Sequence, residues 1–240
     1  MARGKAYVLQ FTVLMCLATS TAVSVTAVAL RPFQTLNAEF DRKRTVLNAL
    51  GLAEAVRSAP DRPAVLELFD RRIRNILISP SGDVMKDTAA DADASKGLPA
   101  YLLMKDTRPD AIAIPVYGRG LWSRLDGYLA LESDLNTIRN LIFYKHGETP
   151  GLGGEIEKRW FSDNFKGKKI FDDRDRLVSV EVVRGQVKDV IHDSEAKLHA
   201  VDGISGATLT GRGVTHLLAD ILKKYEPFLD KHRSKGLNSL

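Results

Sequence analysis

The sequence predicts an α+β domain that follows one membrane-spanning helix. Three observations give this fold class: a long uncharged stretch near the N-terminus, several short apolar or alternating segments separated by turn residues, and an amphipathic helical pattern close to the C-terminus. Strands and helices do not alternate regularly, as they would in a parallel α/β fold. At 240 residues, the chain has room for one domain of ordinary size or two small ones.

The predicted membrane helix begins in residues 6–30, which contain no charged side chain. A helix of this length spans roughly 38 Å, enough to cross a hydrocarbon core of about 30 Å. Arg3 and Lys5 precede it and favour a cytoplasmic N-terminus with the rest of the chain translocated. Ala27-Val28-Ala29 has the form of a signal-peptide cleavage site, but the length of the apolar run favours a retained anchor. We expect Arg31-Pro32 to end the helix.

We divide the chain into an N-terminal stub with the transmembrane helix at 1–32, juxtamembrane helices and connecting segments at 33–100, and the α+β domain at 101–240. The patterns of the middle part predict, in order, a helix over 33–50 with Gly51 as its C-cap, a helix begun by Asp61 and Pro63, a hairpin turn at 79–83 and a surface loop over 87–97. Those of the last part predict strands at 101–104, 111–117, 128–131, 141–144 and 177–183, a helix around 155–165 and a final helix over about 209–224.

Charge and cysteine content exclude several kinds of function. The 35 basic and 30 acidic residues give a net charge of +5 and are scattered along the chain, so we predict no nucleic-acid binding. The single cysteine, Cys16, excludes a disulfide framework, a cysteine-ligated zinc site and an iron–sulfur cluster held by this chain alone. His192, Asp193, Glu195 and His199 lie near one another but lack the spacing of a structural metal site, and we predict no metal.

The most informative stretch is Asp202-Gly203-Ile204-Ser205-Gly206-Ala207-Thr208, which immediately precedes the final helical pattern. Ser205 to Thr208 should therefore lie at or just before a helix N-terminus, where free N–H groups and the positive end of the helix dipole suit a phosphate. Gly206 permits a positive φ, and a Thr hydroxyl can hydrogen-bond a phosphate or be esterified by one. The same residue types also fit an ordinary capping turn with no ligand.

A second stretch, 146–155, holds four glycines and one proline and cannot be regular structure. Glycines at this density let the backbone approach a flat ligand closely. The spacing fits neither a P-loop nor the dinucleotide-binding fingerprint. The alternative is a plain connection between a strand and a helix, with Glu148 exposed to solvent.

A third stretch, Gly118-Arg119-Gly120-Leu121-Trp122, places a tryptophan after two glycines. It predicts either a hairpin with a core tryptophan or a ligand pocket with Trp122 as one wall. An aromatic ring of this kind stacks well on a flat heterocycle.

Taken together, the three stretches resemble the FMN-binding domain family and, within it, the NqrC proteins of the sodium-translocating NADH:quinone oxidoreductases. Asp-Gly-Ile-Ser-Gly-Ala-Thr is similar to the flavinylation signature of that family. Gly-Glu-Thr-Pro-Gly-Leu-Gly-Gly, from Gly147 to Gly154, is similar to the loop that packs on its isoalloxazine ring. One N-terminal span also agrees. The resemblance is weak over 33–100 and 186–200.

The resemblance implies FMN joined by a phosphoester to Thr208, made from FAD by a dedicated flavin transferase. It places the phosphate against backbone N–H groups near Ser205, Gly206 and Ala207. The ring site is expected to involve Glu148, Thr149, Leu152, Gly153 and Trp122. No catalytic residue is assigned, because the flavin carries the redox chemistry.

The resemblance also implies an electron-transfer protein within a membrane NADH:quinone oxidoreductase, with no complete activity alone. Electrons would arrive from NADH through partner subunits and leave for a second flavin in another subunit. The domain at 101–240 would lie in the periplasm, anchored in a bacterial inner membrane by a single span. Two alternatives stay open: the homologous FMN-carrying protein of an Rnf-type ferredoxin–NAD oxidoreductase, and a membrane-anchored assembly module without a redox group.

Overall fold

The computed structural model describes residues 2–85 and 97–237. Most of the surface loop predicted over 87–97 lies outside the described residues. The chain forms two compact units, Met1–Arg42 and Lys43–Leu240. The second unit contains the sheet, the remaining helices and every candidate site residue named above.

Helix α1 runs from Ala2 to Ala49 and contains Pro32. The prediction that Arg31-Pro32 ends the helix is therefore wrong. A proline removes one backbone hydrogen bond, which costs about 3 kcal/mol inside a helix. The helix nevertheless continues through Pro32, and the helical pattern of 33–50 belongs to the same helix. Between Ala6 and Ala49 an 18-residue window has a mean hydropathy of 2.0 and none of it is buried, so this helix has the length and composition to cross a membrane.

The end of α1 has the predicted glycine cap. Gly51 adopts a φ of +88°, and the N–H of Leu52 donates to the carbonyl of Leu47 at 2.9 Å. This left-handed residue with a six-to-one hydrogen bond is a Schellman motif. Helices α2 (Ala53–Ser58) and α3 (Arg62–Arg72) follow. Asp61 caps α3 by accepting from the N–H of Ala64 at 3.0 Å, which confirms the predicted helix start.

One antiparallel sheet forms the centre of the second unit. Its strands are β1 (Ile73–Ile78), β2 (Val84–Met85), β3 (Leu98–Lys105), β4 (Arg108–Arg119), β5 (Arg124–Glu132) and β6 (Ile138–Lys145), in the order β2-β1-β3-β4-β5-β6. The first four strands predicted for the 101–240 domain lie inside β3, β4, β5 and β6, and the hairpin turn at 79–83 joins β1 to β2. Together with the helices, this sheet confirms the α+β fold class.

The two faces of the sheet carry different side chains. On one face Phe69 of α3 meets Tyr101 edge-on at 6.3 Å between ring centroids, and Tyr101 meets Tyr128 at 5.7 Å. Tyr128 in turn stacks on Tyr144 at 5.6 Å. The opposite face of the sheet packs into the main hydrophobic core. The residues of β3 and β4 on that face are Ala100, Leu102, Ile112, Ile114 and Val116.

The segment between β6 and the last helix is less regular than predicted. It contains a 3₁₀ helix (Gly153–Glu157), α4 (Arg159–Asp163), β7 (Glu181–Val182), α5 (Val187–Val190), a second 3₁₀ helix (Ala196–His199) and β8 (Ala200–Val201), which pairs with β7 in parallel. The predicted helix around 155–165 is interrupted at Lys158, which is extended. The predicted strand at 177–183 is reduced to two residues, because Ser179 adopts a left-handed φ of +65° and Val178 faces solvent.

Helix α6 runs from Thr208 to Arg233, well beyond the predicted end near 224. It packs on β4, and its buried residues recur at spacings of three and four: Val214, Leu217, Leu218, Ile221, Leu222, Tyr225, Phe228 and Leu229. Glycines let it approach β4 closely. A Cβ added at Gly213 would lie 2.5 Å from the carbonyl oxygen of Arg119, and one at Gly118 would lie 2.3 Å from the Cβ of Leu217.

Candidate functional site

The N-terminus of α6 is the predicted attachment turn. Gly206 has a φ of +73°, as predicted, and the N–H of Ala207 donates to the carbonyl of Ile204 at 3.0 Å. Thr208 is the first helical residue, and the N-cap Ala207 provides no side-chain hydrogen bond. The first N–H groups of a helix have no acceptor within the helix itself, so the start of α6 presents free donors and the positive end of the dipole. The N–H of Ala207, predicted to hold a phosphate, is instead used by Ile204. Ser205 and Gly206 are exposed.

Two threonines lie in the first turn of α6, and their surroundings differ. Thr208 is half-buried and lines a cleft of about 140 Å³. Thr210 is only 1% exposed, and its hydroxyl donates to Oε2 of Glu148 at 2.7 Å. Of these two hydroxyls, only that of Thr208 faces a space that a ligand or a modifying enzyme can enter.

Arg184 and Arg212 line the same cleft as Thr208, and both are exposed. Sequence reasoning missed both residues. Arg212 follows Thr208 by four positions, which places the two on one face of a helix, so the spacing held a usable signal. The sequence contains no such signal for Arg184, because it reaches the cleft only through tertiary structure. The parallel pairing of β7 with β8 brings the end of β7 beside the segment that leads into α6. An anion at Thr208 would therefore lie in a cleft lined by two positive charges.

Glu148 is buried, with 5% of its surface exposed. The alternative in which 146–155 is a plain connection predicts an exposed Glu148. Its Oε1 accepts from the N–H groups of Trp122 at 3.0 Å and Ser123 at 3.1 Å. Its Oε2 accepts from the N–H of Leu121 at 3.2 Å and from the Thr210 hydroxyl. Burial acts to raise its pKa, but these hydrogen bonds outweigh burial and hold the pKa of Glu148 below its ordinary value. The carboxylate is ionised at neutral pH.

Two glycines of the segments predicted to form the ring site, one in the 146–155 loop and one before Trp122, make room for buried side chains. A Cβ added at Gly153 would lie 2.5 Å from Oγ1 of Thr210, and one at Gly120 would lie 2.6 Å from Oε1 of Glu148. Both glycines make room for the carboxylate and its partners. Gly151 is different: it has a φ of +74° and no heavy atom within 4 Å of an added Cβ, so its glycine serves the turn itself.

The same loop also reaches the attachment turn. Cδ2 of Leu152 would lie 2.8 Å from a Cβ at Gly206, so this side chain sits directly against the exposed backbone there. The carbonyl of Thr149 accepts from the N–H groups of Leu152 and Gly154 at 3.1 and 2.9 Å, which closes the loop. Thr149 itself is exposed.

Large apolar side chains remain in solvent around the start of α6. Trp122 is 72% exposed, so the prediction of a core tryptophan is wrong, while its role as a pocket wall stays a prediction. Leu121, Leu152 and Leu209 are also substantially exposed. Leu121 and Leu209 line a second cleft of about 400 Å³ between the β4–β5 hairpin and α6. Exposed apolar groups of this size, gathered near free backbone donors, are typical of a ligand or partner site.

The structure thus brings the predicted residues together from three separate segments. Ser205, Gly206, Ala207 and Thr208 form the attachment turn, Leu152 lies against it, and Glu148 and Gly153 pack on Thr210 two positions further on. Trp122 joins the group through the hydrogen bond from its N–H to Glu148. In the described residues, no group of three or more His, Cys, Asp or Glu side chains forms a metal site.

Comparisons with known proteins agree on one family. Residues 120–223 match the model of the FMN-binding domain family. The NqrC protein of the Na(+)-translocating NADH-quinone reductase from Pseudomonas aeruginosa is 36% identical over 231 residues, which cover 85% of this chain and 86% of that protein. Its counterpart of the same name from Vibrio vulnificus is 34% identical over an alignment of 254 positions, which includes 93% of this chain and 94% of that protein.

Two solved structures also resemble the chain. The crystal structure of the NqrC protein from Parabacteroides distasonis has a TM-score of 0.69 and 32% identity, covering 83% of this chain and 96% of that one. The crystal structure of NqrC from Shewanella oneidensis has a TM-score of 0.67 and 26% identity, covering 81% and 98%.

Proposed function

Because the chain belongs to the NqrC family of the Na(+)-translocating NADH-quinone reductases, we propose that it is the flavin-carrying member of such a membrane complex. Its cofactor is FMN, joined through its phosphate to the hydroxyl of Thr208. This membership also favours an NADH:quinone reductase over the Rnf-type ferredoxin–NAD oxidoreductase that has a homologous FMN-carrying protein. The chain supplies one step of electron transfer and has no complete activity alone.

The contrast between Thr208 and Thr210 carries this assignment. Esterification needs a hydroxyl that a flavin transferase can reach, and Thr208 lines an open cleft. The Thr210 hydroxyl is buried and already donates to Glu148. Both threonines lie in the same helical turn, and accessibility favours the one that ends the Asp-Gly-Ile-Ser-Gly-Ala-Thr stretch.

The residues around Thr208 fit a phosphodiester. Its single negative charge suits the helix N-terminus, where the first N–H groups of α6 have no acceptor within the helix. Arg184 and Arg212, which line the same cleft, add two guanidinium groups. These groups hold the phosphate end and leave the ring free.

The exposed apolar residues fit the ring. We assign Leu152, Thr149 and Trp122 to the ring site, with Gly153 allowing the loop to close behind it. When bound, FMN accepts and donates electrons, and the protein orients it and sets its electrostatic surroundings. Partner subunits oxidise NADH, deliver electrons to this flavin and take them onward through a second flavin to quinone.

The membrane helix supports a periplasmic location for the unit that carries Thr208. The apolar part of α1 crosses a bacterial inner membrane once, and the basic residues before it keep the N-terminus in the cytoplasm. The unit that carries Thr208 then lies in the periplasm, anchored beside its partner subunits.

The assignment is tested by expressing the chain with a flavin transferase and examining denatured protein for flavin fluorescence on a gel. The wild-type band should fluoresce and the Thr208→Ala band should not. Thr208→Ala removes a half-exposed hydroxyl, so the midpoint of thermal unfolding should change by no more than about 2 °C.

The matched control is Thr210→Ser, which keeps the buried hydroxyl two residues away and should retain the fluorescence. Fluorescence that survives denaturation in Thr208→Ala would move the linkage to another residue. An unmodified wild-type band would instead favour a membrane-anchored assembly module with no redox group.

A further inference from the structure

The carboxylate of Glu148 connects three segments that are distant in sequence. It accepts from the N–H groups of Leu121, Trp122 and Ser123 in the turn between β4 and β5, at 3.0 to 3.2 Å. It accepts at 2.7 Å from Thr210 in the first turn of α6. Glu148 itself belongs to the loop that contains Leu152. A single side chain therefore meets every segment that was predicted to surround the flavin.

These contacts use the full acceptor capacity of the side chain. A carboxylate offers about four lone-pair positions, and four donors occupy them here. Glu148 is also buried among these partners. It is therefore suited to act through the residues it holds, and not by direct contact with a ligand.

The surrounding backbone is fitted to this carboxylate. A Cβ at Gly120 would lie 2.6 Å from Oε1, and a Cβ at Gly153 would lie 2.9 Å from Oε2. A further hydrogen bond links the same two loops, from the N–H of Gly147 to Oγ of Ser123. The junction thus leaves little freedom in how the β4–β5 turn, the Glu148 loop and α6 sit relative to one another.

We propose that Glu148 is a positioning residue for the flavin, holding the turn that carries Trp122 and the helical turn that carries Thr208 in one arrangement. The attachment hydroxyl and the apolar residues around it are then fixed before the flavin arrives. This inference rests on the proposed function, because it assigns the junction a purpose in flavin attachment.

The sharpest test uses two substitutions at Thr210. Thr210→Ser keeps the hydroxyl that donates to Glu148 and loses a methyl group, whereas Thr210→Val keeps the shape and loses the hydroxyl. If the hydrogen bond matters, Thr210→Ser should retain most of the wild-type flavin attachment. Thr210→Val should attach flavin several-fold more slowly in a timed reaction with purified transferase and FAD, followed by intact-protein mass. A role in packing alone gives the reverse order, and that result would overturn the inference.

Glu148→Gln tests the junction without any flavin. The amide nitrogen of glutamine cannot accept, so at least one of the donors now held by the carboxylate loses its partner. Hydrogen exchange at Leu121, Trp122 and Ser123 should become roughly tenfold faster in the unmodified protein, as expected when a hydrogen bond to a charged group is lost. The matched control is Glu155→Gln, which removes one charge from the same loop but can still accept from Nε1 of Trp160. Equal exchange in the two variants would contradict the inference.

The two proposals fail in different ways. If the wild-type chain acquires no flavin from the transferase, the proposed function fails and the positioning role fails with it, while the exchange comparison still shows whether the Glu148 carboxylate holds the β4–β5 turn. If the wild type is flavinylated but Thr210→Val and Glu148→Gln attach flavin at the wild-type rate, Glu148 has no positioning role and the proposed function is unaffected.

Discussion

The ionised carboxylate of Glu148 contributes to stability through the four hydrogen bonds that it accepts. Its four hydrogen bonds lower its pKa below the ordinary value of 4.5, against the effect of burial. A carboxyl group whose pKa is lower in the folded state contributes stability above its unfolded pKa and loses it as the pH falls through its folded pKa. Its contribution should therefore be complete at neutral pH and disappear progressively below about pH 4.5.

This behaviour gives a test by substitution. Glu148→Gln should lower the free energy of unfolding by roughly 2–4 kcal/mol at pH 7, because a charged acceptor is lost and buried donors are left unpaired. Urea unfolding of both proteins from pH 7 down to pH 3 measures the difference. The two curves should converge below about pH 4.5, and a difference that stays constant over this range would show that the charge is not responsible.

At the scale of single residues, the sequence predicted which residues gather at the site but not why some are there. Gly153 and Trp122 are predicted to contact a flat ligand, and both lie beside Glu148. Gly153, however, packs on Thr210 and Glu148, and nothing in a single sequence distinguishes a glycine that admits a ligand from one that admits a neighbouring side chain. Arg184 was missed because only tertiary pairing brings it to the cleft.

At the level of secondary structure, the contact between α6 and the end of β4 positions Thr208. In an exposed helix, replacing glycine by alanine stabilises by about 1 kcal/mol. Gly213→Ala should instead destabilise, by roughly 1–3 kcal/mol, since its Cβ would lie 2.5 Å from a backbone carbonyl oxygen that cannot easily move.

The same helix offers a matched control for this prediction. A Cβ at Gly211 would meet Cγ1 of Val182 at 3.1 Å, which is a side-chain atom with some freedom to move. Gly211→Ala should therefore cost less than Gly213→Ala in chemical denaturation. A stabilised Gly213→Ala variant would mean that α6 does not approach β4 as closely as described.

Elements with a strong local pattern were predictable, and elements determined by long-range contacts were not. Strands β3 to β6 and the start of α6 follow from alternation and from spacings of three and four. The strand expected at 177–183 is shortened to Glu181–Val182, because the N–H groups of Val178 and Ser179 both donate to the carbonyl of Ile170, which turns the backbone away. The end of α6 was placed too early because buried Phe228 and Leu229 extend its apolar face past Pro227.

The whole chain separates into a membrane anchor and a compact unit that begins at Lys43. A chain starting at Lys43 should stay soluble and fold, with a melting temperature within about 3 °C of that of the full-length protein in detergent. The end of α1 and the residue after it belong to this unit: Val46, Leu47, Ala49 and Leu50 are no more than 1% exposed.

A second truncation separates the anchor from the core. A chain starting at Gly51 loses those buried side chains and should be destabilised by about 4 kcal/mol or more. Thermal unfolding of the two truncated chains measures the difference. Equal melting temperatures would show that the end of α1 contributes nothing to the compact unit.

Peptide mass spectrometry on the chain purified from cells with a flavin transferase tests the central claim most directly. The peptide that contains Thr208 should gain the mass of FMN minus one water, and fragmentation should place the gain on Thr208 and not on Thr210. An unmodified peptide, or a gain on another residue, would contradict the assignment of Thr208 as the point of flavin attachment.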